Sequence, residues 1–253
     1  MIDLEYLITY LATKKSITVA LPESEEDQLR LFFALSRDYI ADPAEDEFFI
    51  TVQDRVLLSE LKKRRTVSLS ALSPVSENIY VLKCDPTLLS VDAIINCTDE
   101  ELMGCFVPCS QCINEKISSR AGVQLQTELV SNISVAEQKK SEAKAFITQA
   151  YCLPSKFVIH PSLGRFTCGD PDSADEALYM SLYSRLHLAW LNSITSVALC
   201  CAFGYSADPA AVASSLVSAV RGWLSENPDY PMKIVFNVLT EDDKKLLLDI
   251  LAE

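Results

Sequence analysis

NIYVLKCDPTLLSVDAIINC, residues 78–97, holds two short apolar runs, Ile79–Cys84 and Val91–Cys97, separated by a turn built on Asp85 and Pro86. Neither run alternates polar with apolar residues, so neither reads as a strand with one wet face. Continuous apolar runs of this length read as strands buried on both faces. Three more runs look the same: KFVIH (156–160), SVALCC (196–201) and KIVFNVL (233–239). Helical spacing fills the gaps, over about 114–129, 174–192, 209–225 and 241–251. Apolar strands that alternate with helices predict an α/β fold, with a mostly parallel sheet covered by helices on both faces. In such sheets ligands sit beyond the carboxyl ends of the strands. The loops there start at Cys84, Asn96, His160, Cys201 and Leu239.

Upstream the period changes. Leu4, Leu7, Ile8 and Leu11 recur at helical spacing, as do Leu29, Phe32, Phe33 and Leu35 after the acidic opening PESEED. A third helix carries Val52, Val56, Leu57 and Leu61 into LKKRR. LSPVSEN, residues 72–78, is Pro/Ser/Asn punctuation and marks the expected boundary. The division is therefore a helical extension, 1–72, and a main domain, 73–253.

With 253 residues, 49% of them hydrophobic, the chain can bury a substantial core. A net charge of −13 argues against nucleic acid, which requires a basic face to neutralise phosphates. The one basic cluster, Lys62–Arg65, reads as the solvated end of a helix. The opening MIDLEYLITY lacks the basic and apolar regions of a signal peptide, and no apolar run is long enough for a bilayer, so a soluble, cytoplasmic protein is expected. Nine cysteines, an odd number, do not suggest a disulfide framework.

Three of those cysteines crowd into GCFVPCSQC, residues 104–112, as C-x3-C-x2-C. A metal site, an iron–sulfur anchor, a redox pair and three small core residues are all readings of that spacing. The two histidines add no catalytic order: His160 ends a strand, and His187 sits inside a helical stretch.

The quoted residues, continued through TDEELMGC, resemble the opening of a macrodomain, with its Val-Asp-Ala-Ile-Val-Asn-Ala-Ala-Asn element. GCFVPCSQCINEKISSRAG resembles the zinc-containing subclass, whose hallmark is Gly-Cys-Phe-x-Pro-x-His-x-Cys-Ile-Asp. AFITQAYCLPSKFVIHP and the helical N-terminus are similar to that subclass as well. The resemblance implies a three-layer α/β/α macrodomain with a mixed, mostly parallel sheet behind a helical extension. It also implies a pocket for ADP-ribose or an ADP-ribosylated protein and, in an active member, hydrolysis of the ADP-ribosyl–protein bond.

Carried over residue by residue, it makes Asp85 the acceptor of the adenine amino group and Asn96 the first amide of the motif. Asp99 stands where the family has a second Asn, and Asn114 where the subclass has an acid; with Asn96 they are the candidate catalytic positions. Phe203, Gly204, Tyr205 and Asn237 complete the candidate ligand contacts. Cys105 and Cys112 match zinc-ligand positions, Ser110 replaces the histidine between them, and Cys109 is the substitute third ligand. The later histidine is Ser118, and AFGYSADP lacks the Ser-Thr-Gly of the phosphate loop. An amide cannot act as a general base, so the alternative expectation is a catalytically degenerate macrodomain serving as a protein-interaction module with structural cysteines.

Overall fold

The computed structural model describes residues 2–96, 112–138, 145–161, 174–201, 203 and 208–253. Three helices come first: α1 (Ile2–Lys14), α2 (Glu25–Ser36) and α3 (Glu47–Lys63). Among the described residues, eight short strands and five more α-helices follow. The strands are β1 (Val67–Ser68), β2 (Ile79–Lys83), β3 (Leu89–Ser90), β4 (Ala93–Ile95), β5 (Ala145–Gln149), β6 (Phe157–Pro161), β7 (Ser196–Cys201) and β8 (Lys233–Val238). The helices are α4 (Ile113–Ala121), α5 (Val123–Gln138), α6 (Ala174–Leu191), α7 (Pro209–Glu226) and α8 (Glu241–Leu251).

Six strands form one sheet in the order β2-β8-β7-β4-β6-β5, and β1 and β3 form a separate parallel pair. Every pairing in the large sheet is parallel except that of β5 with β6. Its two faces bury separate cores. Ile95, Leu199, Phe236 and their neighbours pack against α6, α7 and α8. Ile94, Val158, Ala198 and Val235 pack against α4 and α5. This is the three-layer α/β/α arrangement with a mixed, mostly parallel sheet.

Local chemistry explains the helix starts. Ser24 accepts from the Asp27 amide at 3.1 Å to begin α2, and Thr240 accepts from the Asp243 amide at 3.0 Å to begin α8. Asp208 caps α7 through the Ala211 amide, with Pro209 in the first helical position.

One predicted helix is in fact two. The stretch expected as a single helix over 114–129 breaks at Gly122, whose φ of 103° lies in the left-handed region that glycine tolerates. A Cβ there would lie 2.6 Å from Gln53 Nε2. Gln53 belongs to α3, so the N-terminal helices meet the rest of the chain at the break. Gln53 is fully buried, and its Oε1 accepts from the Val123 amide at 3.0 Å, capping the start of α5. Its Nε2 donates to Gln124 Oε1 at 2.7 Å, while Gln124 Nε2 donates to Asp54 at 2.9 Å. The three helices share a third core that includes Val123 and Cys152 from the main domain. Within it Asp46, 1% exposed, accepts from the hydroxyls of Tyr10 and Tyr39 at 2.5 and 2.7 Å and from the Asp42 amide at 2.9 Å.

Candidate functional site

Strand order locates the site. In chain order β4 is followed by β5 and β6, which lie on one side of it, whereas β7 is followed by β8, on the other side. The direction of winding therefore reverses between β4 and β7, and the crevice beyond their carboxyl ends is where an open α/β sheet takes its ligand. Ile95 and Leu199 are paired across that switch; Asn96 follows β4 directly, and Cys201 ends β7.

Asn96 is fully buried. Its backbone amide donates to the Ile159 carbonyl at 2.9 Å, prolonging the ladder to β6 by one bond. Its side-chain Nδ2 donates to Asn114 Oδ1 in a short contact, and its Oδ1 is buried without a partner. Asn114 sits in the first turn of α4 and is 5% exposed. The two amides bind the end of β4 to the start of α4. A buried carbonyl oxygen without a donor carries a desolvation cost of about 1–3 kcal/mol that a donor from a ligand or water removes.

Asn114 also lines a pocket between α2 and the α4–α5 pair, together with Phe33, Ser36, Arg37, Glu115 and Ser118. Burial raises the carboxyl pKa of Glu115, against the positive charges of Arg37, Lys116 and Arg120. Burial lowers the pKa of the Arg120 guanidinium, with the Arg64 charge acting in the same sense. The Arg120 guanidinium lies 5.1 Å from the centre of the Phe33 ring. None of Arg37, Glu115 and Arg120 stands out in the sequence; all three acquire their setting from α2, which packs over α4 only in the folded chain.

Asp85 lies two residues beyond β2 and caps a 3₁₀ turn, Pro86–Leu88. Its Oδ1 accepts from the Thr87 amide at 2.9 Å and from the Thr87 hydroxyl at 2.7 Å. Its Oδ2 pairs with Arg64 Nη1 at 3.2 Å. Arg64 thus turns inward from the basic cluster, while Lys62, Lys63 and Arg65 are exposed as expected.

Asn237, fully buried one residue before the end of β8, braces the neighbouring strand end: its Nδ2 donates to the carbonyls of Leu82 and Cys84 at 3.3 and 3.0 Å. Cys84 Sγ accepts from the same amide, and burial together with the Asp85 charge pushes the thiol up to about 11. Phe203, 2% exposed, packs in the core beneath α6, α7 and α8. Cys112 is partly exposed at the N-cap of α4. Asp99, Cys105, Cys109, Gly204 and Tyr205 lie outside the described residues.

The histidines behave as their positions suggest. His160 is buried, shares a 3.0 Å hydrogen bond with Thr148 Oγ1, and is pushed down to about 3 by burial, aided by Arg185. His187 is exposed and packs against Trp190. Among the described residues, no three His, Cys, Asp or Glu side chains are grouped so as to hold a metal ion, and no helix is long and apolar enough to cross a membrane.

Comparison with known proteins bears on the same crevice. The Macro domain family profile matches residues 95–213, from the end of β4 into α7. The sequence is 32% identical to a protein-ADP-ribose hydrolase of Staphylococcus aureus (strain MSSA476), over 96% of this chain and 92% of that one. It is 34% identical to a protein-ADP-ribose hydrolase of Treponema medium, over 90% of this chain and 89% of that one. Among solved structures, the Trypanosoma brucei macrodomain in complex with ADP-ribose superposes with a TM-score of 0.61 at 21% identity, covering 90% of this chain and 96% of its own. The macro domain of ganglioside induced differentiation associated protein 2 gives a TM-score of 0.59 at 23% identity, covering 74% of this chain and 97% of its own. At these identities the two structural likenesses concern the fold.

Proposed function

The chain belongs to the macrodomain family, and from that premise we propose that it recognises ADP-ribose carried on a protein side chain and hydrolyses the bond between the two. The observation that carries the reading is the near-full-length similarity to protein-ADP-ribose hydrolases. The site supports it, because the buried amides of Asn96 and Asn114 meet at the topological switch where a ligand enters.

In this reading the adenine amino group donates to Asp85, and the distal ribose lies over Asn96, whose unpartnered Oδ1 accepts from a ribose hydroxyl. Water adds at the ribose carbon that carries the protein. The bond from that carbon to the side chain breaks, and the side chain leaves with a proton. The products are free ADP-ribose and the unmodified protein.

The finer assignment is the zinc-containing subclass with residues 1–72 as its helical extension and 73–253 as the macrodomain. Thiolates of Cys105, Cys109 and Cys112 are a donor set suited to zinc, and a bound zinc supplies Lewis acidity. Cys112 stands two residues before Asn114, which puts one such donor beside the amide pair. Reduced thiols of this kind belong to a cytoplasmic setting.

One observation favours a second reading, recognition without hydrolysis: residue 114 is an amide, and its oxygen is already engaged by Asn96. Incubation with a mono-ADP-ribosylated protein, read by mass spectrometry of released ADP-ribose, separates the two. Release carries the hydrolase reading, and retention on the modified protein without release carries the second. No binding and no release would sink both.

A further inference from the structure

Arg64 is the first residue beyond α3, and its extended backbone turns the chain from the N-terminal helices towards β1. Its amide closes the helix on the Leu61 carbonyl at 3.0 Å, which fixes the root of the side chain. The guanidinium then crosses to the carboxyl end of β2, where Nη1 lies 3.2 Å from Asp85 Oδ2 and 3.4 Å from Thr87 Oγ1. Both members of the ion pair are mostly shielded, with 24% of the Arg64 side chain and 33% of the Asp85 side chain exposed. Thr87 is fully buried.

A carboxylate offers about four lone-pair directions. The Thr87 amide and hydroxyl occupy the two on Asp85 Oδ1, and Arg64 occupies one on Oδ2. Among the described residues one direction is left, on a carboxylate that three contacts hold in place. Asp85 is therefore an oriented acceptor for a single donor, set beside a guanidinium with N–H groups beyond those used here. Arg64 Nε is itself buried without an acceptor, so the group is held by its surroundings rather than by a full set of bonds. An acceptor next to a donor complements the edge of adenine, where an amino group adjoins a ring nitrogen. It opposes hypoxanthine, which presents a carbonyl oxygen in place of the amino group. The pair also cancels the Asp85 charge, which would otherwise repel a diphosphate.

We propose that Arg64 is a positioning residue that fixes the one open acceptor of Asp85 and so sets the preference for an adenine-type base. The N-terminal helices thereby take part in base selection, although the site lies on the sheet domain. This rests on the reading of Asp85 as the nucleobase acceptor, and the test separates the two claims.

Calorimetry on the full chain with ADP-ribose and with inosine diphosphate ribose gives a preference ratio for the wild type, Arg64→Gln, Arg64→Lys and Asp85→Asn. The wild type should favour ADP-ribose by about tenfold or more, the scale of one charge-assisted hydrogen bond. Arg64→Gln should bring the ratio to within about threefold, and Arg64→Lys should recover part of it, because an ammonium still pairs with Oδ2 but lacks the planar guanidinium. A merely structural role would lower both affinities alike and leave the ratio untouched. If Arg64→Gln fails to fold, Thr87→Val removes one of the two bonds to Asp85 Oδ1 together with the hydroxyl that Arg64 also meets, and should reduce the ratio in the same way. Loss of the preference in Asp85→Asn with its retention in Arg64→Gln would overturn the role of Arg64 alone. Retention in Asp85→Asn would overturn the Asp85 reading beneath it, and a wild type without preference, or without binding, would overturn both.

Discussion

Asn96 Nδ2 donates to Asn114 Oδ1 in a contact buried from solvent on both sides, and it joins the residue that follows β4 to the first turn of α4. The bond gives residue 114 two separable tasks, to accept from Asn96 and to act on a substrate. Asn114→Asp keeps the acceptor and adds a carboxylate able to take a proton. It should fold normally and raise the rate of ADP-ribose release from a modified protein by at least about tenfold, the lower part of the range for an added general base being about a hundredfold. Asn114→Ala strands the Asn96 amide instead. It should lower stability by about 1–3 kcal/mol in a urea titration and leave no measurable release.

A pH titration of stability should expose His160. The ring is neutral in the folded chain because burial, with Arg185 nearby, takes its pKa from the usual range down to about 3. An unfolded chain protonates this histidine below about pH 6.5. Between those values the unfolded state binds the extra proton, so the contribution is complete above about 6.5 and is lost as the pH falls. By linkage the expected slope approaches about 1.4 kcal/mol per pH unit over the window from 6 to 5. His160→Gln retains a partner for Thr148 Oγ1 and cannot titrate, so urea midpoints of that variant should show a flatter profile than the wild type.

How far the fold was legible follows from which elements are buried on both faces. β4, β7 and β8 are almost wholly buried and appear in the sequence as apolar runs, that of β8 interrupted by Asn237. β5 escapes notice because it is a half-exposed edge strand, AFITQ, whose pattern matches neither an alternating nor a continuous run. β1 and β3 are two residues each, too short to leave a period. The break at Gly122 depends on a side chain 69 positions upstream in α3, Gln53, which local spacing cannot report.

The same holds for the site. Asn96 is legible because it follows an apolar strand directly, at the place where parallel sheets bind ligands. Arg64 is not, because one residue of a four-residue basic cluster turns inward while its neighbours stay in solvent. Only the fold brings it to Asp85, 21 residues on.

Gln53 predicts how the N-terminal helices and the sheet domain unfold. Its carboxamide caps α5 and meets Gln124, and Asp54 beside it accepts from Gln124 and from Cys152 Sγ at 3.3 Å. Gln53→Leu fills similar space but leaves the Val123 amide buried without an acceptor. A loss of about 1–3 kcal/mol is expected. Chemical denaturation should remain a single transition in the wild type, because a shared core crosses the boundary. Gly122→Ala should cost more, since it combines a positive φ with a Cβ 2.6 Å from Gln53. Two separated transitions in the wild type, read by circular dichroism and tryptophan fluorescence together, would show that the two parts are not coupled in this way.

The last prediction concerns metal. Cys112 stands at the N-cap of α4, where its side chain makes no capping hydrogen bond, two residues before the Asn114 that meets Asn96. Zinc in proteins prefers four ligands, with three protein donors and one open position where it serves chemistry. Cys105, Cys109 and Cys112 supply three thiolates, and Ser110, a neutral hydroxyl, adds little beside them. Protein purified without chelator should therefore contain about one zinc equivalent by native mass spectrometry, and Cys112→Ser should remove most of it, because two thiolates hold zinc weakly. Ser110→His adds an imidazole at the spacing of the zinc-containing macrodomains, so its zinc should survive a higher concentration of chelator than that of the wild type. The readout is metal content, so it does not depend on whether hydrolysis occurs. Equal and negligible zinc in the wild type and in Ser110→His would mean that the three thiols hold no metal, and the hydrolysis would then have to rest on the Asn96–Asn114 end of the crevice alone.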